Sequence, residues 1–265
     1  MEGNLEGKMR NNSLRKAVLV CLYAGLFVVG VRTVRLLAQS SPQRTADVIP
    51  TSNGDLRITP INHASLMLEF GGKVIHVDPV GGQGADYTGL PPADLILVTD
   101  LHPDHMDRGM IDKLKKAGTI VLAPKAVQTT ITEAQAIANG EKKTVAGIEI
   151  EAVPMYNITR GPAAGQLFHD KGRGNGYILT LGGKRVYISG DSECTPEMKA
   201  LKNIDVAFLC MNVPYTMPPS EAAGCAKEFK PKIVYPYHFR GSDPQEFANA
   251  LKGTSGVDVR IRKWY

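Results

Sequence analysis

Three carboxylates and two histidines fall within the eight residues Asp100-Leu101-His102-Pro103-Asp104-His105-Met106-Asp107. The apolar run Leu95-Ile96-Leu97-Val98 stands just before them. A short buried strand that ends in such a cluster fixes the backbone, and the turn after it aims several donors at one point. Imidazole suits Zn, Fe and Ni, while carboxylate oxygens extend the range to Mn and Mg. The spacing points to a metal site. A polar loop with surface histidines is the competing reading, because Asp and its neighbours are common in turns.

Later strand-like runs deliver further polar groups in the same way. Val186-Tyr187-Ile188-Ser189 leads into Gly190-Asp191, where the glycine permits close approach to an acid. Val234-Tyr235-Pro236-Tyr237 leads into His238, and Val153-Pro154-Met155-Tyr156 leads into Asn157. The chain has six histidines, and His169 lies in a loop rich in glycine and charge. His76 alternates within a strand and reads as structural or surface-facing. No Ser-His-Asp arrangement surrounds a nucleophilic serine. Gly172-Arg173-Gly174-Asn175-Gly176 leads into a strand rather than a helix, so a dinucleotide-binding reading fails its context.

The elements that must hold these groups are mostly short strands. Residues 56–59, 65–70 and 73–78 alternate in polarity, and Gly71-Gly72 marks a two-residue hairpin between the last two. Residues 95–99 make a fourth strand, 109–117 have helical spacing, 119–123 return as a strand, and 126–138 read as a helix. Strands follow at 147–154 and 176–181, and Gly182-Gly183 turns the chain into 184–189. Thr195-Pro196 opens a short helix to residue 202, with Thr195 as its cap. A strand at 205–211, a helix capped by Ser220, a strand at 232–236 and a helix opened by Asp243-Pro244 complete the order. Each half begins with hairpins and ends in strand-helix alternation, which two sheets with helices on their outer faces would satisfy.

Composition narrows the partners. The 265 residues carry a net +5, of which residues 1–40 account for +4, so the body is close to neutral and a basic nucleic-acid-binding face is unsupported. Ala17 to Val31 form an uncharged apolar run of fifteen residues behind Arg15 and Lys16. That is short for a membrane span and right for a secretory signal, with Ala38-Gln39-Ser40 offering a cleavage site. Arg32 and Arg35 keep an uncleaved membrane tether open. Either reading exports the body to the periplasm or the extracellular space. The expected organisation is a signal or anchor over 1–40, a polar linker over 41–54 and one domain over 55–265. Of the four cysteines, Cys194, Cys210 and Cys225 lie in the body and can form at most one bridge.

The motif order resembles the metallo-β-lactamase superfamily over roughly residues 55–240. The defining stretch of that family, Thr-His-x-His-x-Asp-His after a strand, here reads Thr99-Asp100-Leu101-His102-Pro103-Asp104-His105. Asp107, Asn62-His63-Ala64-Ser65 and Val77-Asp78-Pro79 look like the branch of ascorbate-phosphate lactonases and phospholipase-D-like hydrolases. The resemblance implies an α/β fold, a four-layer αββα sandwich, holding one or two divalent ions (Zn, Mn or Fe). It implies a first metal position at Asp100, His102 and the shared Asp191, and a second at Asp104, His105, Asp191 and His238. Asp78 and His63 are expected behind the ligands, and Asp104 and Asp191 are expected to be catalytic. Two positions depart from the pattern: Asp100 and Asn157 stand where histidines are expected. Asn157 is then a weak amide ligand, and His169 either replaces the missing imidazole, contacts substrate or lies at the surface. Arg173 (with Lys171 on a mouth loop), Arg240 and Tyr215 are candidate substrate contacts. The expected activity is hydrolysis of an ester, lactone or phosphodiester in a small-molecule or lipid-like substrate. A metal-binding protein without turnover is the alternative, and diiron redox chemistry ranks last because the chain has no flavin domain.

Overall fold

A computed structural model describes residues 46–265. The signal or anchor expected over residues 1–40 lies outside the described residues, as does the start of the linker. Among the described residues, no helix is long and apolar enough to cross a membrane.

The first half of the domain builds one seven-stranded sheet in chain order: β1 (Asp47–Thr51), β2 (Gly54–Asn62), β3 (Ser65–Phe70), β4 (Lys73–Val77), β5 (Ala93–Leu97), β6 (Lys115–Ala123) and β7 (Gln135–Ala136). Its first four strands are antiparallel, and β4 through β7 run parallel. Helix α1 (Arg108–Leu114) connects β5 to β6. The second half repeats the plan with β8 (Lys142–Val145), β9 (Ile148–Met155), β10 (Gly174–Leu181), β11 (Lys184–Ile188), β12 (Val206–Cys210), β13 (Ile233–Tyr237) and β14 (Asp258–Val259). Here β8 to β11 are antiparallel and β11 to β14 parallel, with α2 (Pro196–Lys199), α3 (Pro219–Phe229) and α4 (Pro244–Leu251) in the connections.

Period-two alternation explains the layering. In β5, Leu95 and Leu97 join the core between the sheets, while Ile96 and the following Val98 face outward against Ile111 and Leu114 of α1. All four are fully buried, which is why this strand reads as an unbroken apolar run. On the other sheet, Met198, Ala222, Phe229 and Phe247 bring α2, α3 and α4 into the main core. Helix, sheet, sheet, helix is the four-layer α/β sandwich expected. Both glycine pairs make the turns their sequence demands: φ is +57° and +74° at Gly71-Gly72, and +57° and +77° at Gly182-Gly183. Two successive positive φ values match the twist of a tight hairpin.

Three expectations are corrected. The linker expected over 41–54 contains β1, paired with β2 from Asp47 opposite Ile58 to Thr51 opposite Gly54. Its polar, Pro50-bearing sequence is tolerated because β1 is an edge strand, where one side need not join a ladder. Asp47 also accepts from Tyr235 Oη at 2.6 Å and Arg262 Nε at 2.9 Å. The helix expected over 126–138 is a 3₁₀ turn, Lys125–Thr129, followed by β7. Thr129 bonds back to the Ala126 carbonyl at 2.8 Å, a local alternative to the helical ladder. Ser220 does not cap α3, which begins at Pro219 after Pro218 with no side-chain cap. Thr195 and Asp243 do cap α2 and α4. Cys194 and Cys225 form a disulfide, and Cys210 is free and buried.

Candidate metal centre

The candidate donors sit where parallel strands of both sheets end. The turn after β5 carries Asp100 to Asp107, and Asp107 closes it: its carboxylate accepts from Met110 N at 3.1 Å as the cap of α1 and from Gly81 N at 3.0 Å. Behind the turn, just past β4, Asp78 is fully buried. It accepts from Thr99 N (2.7 Å), Thr99 Oγ1 (2.6 Å) and His105 Nδ1 (2.9 Å). Burial pushes the Asp78 carboxyl up, and these donors oppose it. Because His105 donates from Nδ1 to Asp78, Nε2 is the atom that faces the other side, and an ion there would displace its proton and take its lone pair.

The second sheet meets that nitrogen. Gly190 has φ +60°, and a Cβ there would come within 2.5 Å of the Met155 sulfur in its own sheet and 3.1 Å of Thr99 Cβ from the other, so the position favours glycine. The next residue, Asp191, places Oδ2 3.3 Å from His105 Nε2 and 3.3 Å from His169 Nε2, and Oδ1 3.4 Å from His238 Nε2. Asp104 Oδ2 lies 3.4 Å from His238 Nε2. Donor atoms of Asp104, His105, Asp191 and His238 all lie within 4.8 Å of one another, as do those of Asp100, His102 and His169. Burial raises the Asp191 pKa, but His238 and His105 hold it well below the carboxylate range. Burial likewise opposes ionisation of Asp104, which His238 and His63 keep low. His105 is driven the other way: burial lowers it, and the facing carboxylates of Asp191 and Asp78 raise it well above the usual range.

Four buried atoms at this centre, His105 Nε2, His169 Nε2, His238 Nε2 and Asp191 Oδ1, make no hydrogen bond. A buried polar atom left so costs about 1–3 kcal/mol. Imidazole nitrogens and carboxylate oxygens converging on one point are the donor set that a divalent ion would satisfy, displacing any proton held there. The residues fit such an ion.

Other expected site residues fall in different places. Asn157 is fully buried, and its amide is turned to protein partners instead of to either cluster. Its Oδ1 accepts from His169 N (2.8 Å) and His169 Nδ1 (2.6 Å), and its Nδ2 donates to Glu193 Oε1 (3.1 Å) and the Tyr215 carbonyl (2.9 Å). With every polar atom committed, it holds His169 so that Nε2 faces Asp191. His169, not Asn157, brings the imidazole. Arg173 is drawn inward onto Asp100, and Lys171 pairs with Glu197 and lies 4.9 Å above the Tyr156 ring. Tyr215 is 48% exposed, with its ring edge-on to Phe168. Arg240 stands over the Tyr265 ring rather than in either cluster. His63 donates from Nε2 to Asp104 Oδ2 at 3.2 Å and stacks on His238 at 3.8 Å. Burial lowers its pKa to about 4. His76 is remote and bonds Pro91 O. Sequence reasoning missed Glu193, whose signal was an acid two residues beyond Asp191, and Tyr265, which carried no local signal.

Comparison with known proteins agrees with this geometry. The model of the beta-lactamase superfamily domain matches residues 57–238. The chain belongs to the metallo-β-lactamase superfamily. Superfamily relatives include a UPF0173 metal-dependent hydrolase of Geobacillus sp. (strain WCH70), 30% identical over 213 residues, covering 74% of this chain and 93% of the relative. Another, of Thermococcus kodakarensis, is 29% identical and covers 77% and 96%. A crystal structure from Parabacteroides distasonis, of a protein provisionally described as a metal-dependent hydrolase, is 46% identical with a TM-score of 0.78, covering 83% of this chain and 99% of that one. A metallo hydrolase of Ignicoccus hospitalis shares the superfamily fold at 23% identity and a TM-score of 0.65, covering 78% and 95%.

Proposed function

We propose that this chain is a hydrolase whose Asp104, His105, Asp191 and His238 hold a divalent ion (Zn, Mn or Fe), and that it cleaves an ester, lactone or phosphodiester bond. The observation that carries the reading is the convergence of four unpartnered buried atoms from both sheets on one point. When bound, an ion there lowers the pKa of water and polarises the bond under attack. His238 and His105 hold Asp191 ionised, so its carboxylate would accept a hydrogen bond from a nucleophilic water and orient it. Asp104 is kept ionised and aimed by His63. Its side chain is 39% exposed, which opens this edge of the site to substrate.

The substrate reading rests on the rim. Ile158 and Tyr215 are 47% and 48% exposed, and both adjoin the Asn157 corner, Ile158 in sequence and Tyr215 through its carbonyl. An apolar rim beside a charged centre suits a lipid-like or otherwise apolar ester. Export is supported by the apolar run at residues 17–31 and by the Cys194–Cys225 disulfide, which persists in oxidising compartments.

The test is chelator dialysis and metal reconstitution of the full chain, paired with a screen of generic phosphodiesters and lactones. Turnover should vanish with the metal and return with it. Asp191→Asn should lose about 100-fold or more in kcat. An Asp191→Asn variant as fast as the parent would sink this mechanism, and metal retention without any turnover would make the chain a binding protein.

A further inference from the structure

The two clusters are not equivalent, and the difference lies in which donors the protein itself already satisfies. In the cluster of Asp104, His105, Asp191 and His238, three donor atoms make no hydrogen bond. In the cluster of Asp100, His102 and His169, the first two are engaged. Asp100 is fully buried and accepts from Arg173 Nε at 3.2 Å and Arg173 Nη2 at 2.9 Å, a two-pronged guanidinium pair. His102 Nδ1 stands 2.9 Å from the same carboxylate, and its Nε2 lies 3.3 Å from Arg173 Nη2. His169 Nε2 is the remaining donor of that cluster, and it stands nearer to Asp191 Oδ2 (3.3 Å) than to Asp100 Oδ2 (3.8 Å).

Resting on the metal-dependent reading above, we infer that Arg173 is the resident cation of the Asp100–His102–His169 cluster, and that the chain therefore holds one divalent ion, not two. A carboxylate as buried as Asp100 requires a counter-charge. The planar guanidinium fork supplies it with two parallel N–H donors, a geometry that lysine cannot reproduce. An ion seated on Asp100 and His102 would lie against that fixed positive charge, so it binds only by expelling Arg173. The backbone keeps Arg173 beside Asp100: Arg173 N donates to Asp170 O at 3.2 Å, and Asn175 N donates to Thr99 O at 2.9 Å, tying the start of β10 to the turn that carries Asp100. The Arg173 side chain stays 22% exposed, within reach of an anionic substrate oxygen. The guanidinium takes over the charge-stabilising role of a second metal, and His169 Nε2 is left to serve Asp191. Asp100 at a position where the superfamily pattern has histidine, and an arginine 73 residues later that neutralises it, form one compensated unit.

The full chain, stripped with chelator and reloaded with Mn(II), tests this by elemental analysis and electron paramagnetic resonance. One Mn per chain with an isolated six-line signal is the expected result for the parent and for Arg173→Lys, which keeps the charge. Arg173→Ala should take up a second Mn and show a broadened, exchange-coupled spectrum. The pair Asp100→His with Arg173→Ala removes both buried charges together, so it keeps the test open if the single variant does not fold, and it should also bind two. Two coupled Mn ions in the parent overturn the inference and leave the hydrolase reading standing. One Mn in both the single and the paired variant also overturns it, because Arg173 then excludes nothing. No Mn in the parent overturns the metal-dependent reading itself.

Discussion

The hydroxyl of Tyr265 lies 2.7 Å from Nδ1 of His63. His63 gives its Nε2 proton to Asp104, so Nδ1 is an acceptor and the phenol donates. Trp264 adds a backbone bond, accepting from His63 N at 3.4 Å, and His238 N donates to His63 O at 3.2 Å. His63 and His238 both adopt left-handed backbone conformations (φ +53° and +47°), which non-glycine residues keep only where their surroundings fix them. The last two residues of the chain thus hold a pair of stacked histidines against the candidate metal.

Tyr265→Phe should therefore weaken metal retention and lower kcat a few-fold, with little change in KM and a stability loss of about 1 kcal/mol. His63→Phe, which removes the bond to Asp104 directly, should weaken metal affinity by about 10–100-fold. Competition with a chromogenic chelator reads both, and equal affinity in all three proteins would exclude this relay.

Asn157→Ala should destabilise the fold rather than empty the centre. It strands the His169 Nδ1 proton and removes a donor from Glu193, a cost of about 1–3 kcal/mol. Urea unfolding should show that loss, while the Mn content of the folded protein stays as in the parent. Loss of the metal without loss of stability would instead make Asn157 a ligand.

Cleavage of the Cys194–Cys225 bridge should lower stability by about 3–4 kcal/mol, because it closes a loop of 31 residues between the segment after Asp191 and α3. Melting with and without reductant measures this, and Cys225→Ser should melt at the same temperature in both. Cys210 is buried, and burial pushes its thiol up to about 12, so it should resist alkylation in the native state.

Acidification should destabilise the protein partly through His76. Burial lowers its pKa below 6.5, so the native state binds fewer protons than the unfolded chain. The stability it contributes is complete above 6.5 and is lost as pH falls toward its folded pKa. His63 acts in the same direction between 6.5 and about 4. Urea midpoints at about pH 7.5 and about pH 5 should converge in His76→Gln relative to the parent. An unchanged difference would clear His76 of this role.

Much of this was legible because strand ends announce themselves. The run from Leu95 to Val98, the glycine pairs and the small residue before Asp191 are local signals, and each marked a turn or strand end that the structure contains. Legibility failed where meaning depended on a distant partner. Asn157 looked like a poor ligand until the fold placed His169 Nδ1 on its oxygen, and Arg173 looked like a loop cation until it met Asp100. β1 was hidden because an edge strand needs neither alternation nor freedom from proline. The Thr-rich segment after Pro124 read as a helix, but the Thr129 hydroxyl closes a turn instead.

Each sheet is assembled from an unbroken half of the chain, and the Asp104–His105–Asp191–His238 cluster draws two donors from each. Neither half owns a complete set. An ion seated there would clasp two separately wound leaves, so prying the leaves apart would also release the ion. Metal release should therefore register when the sandwich opens, and a chain stripped of its ion should open along that seam before either leaf unravels.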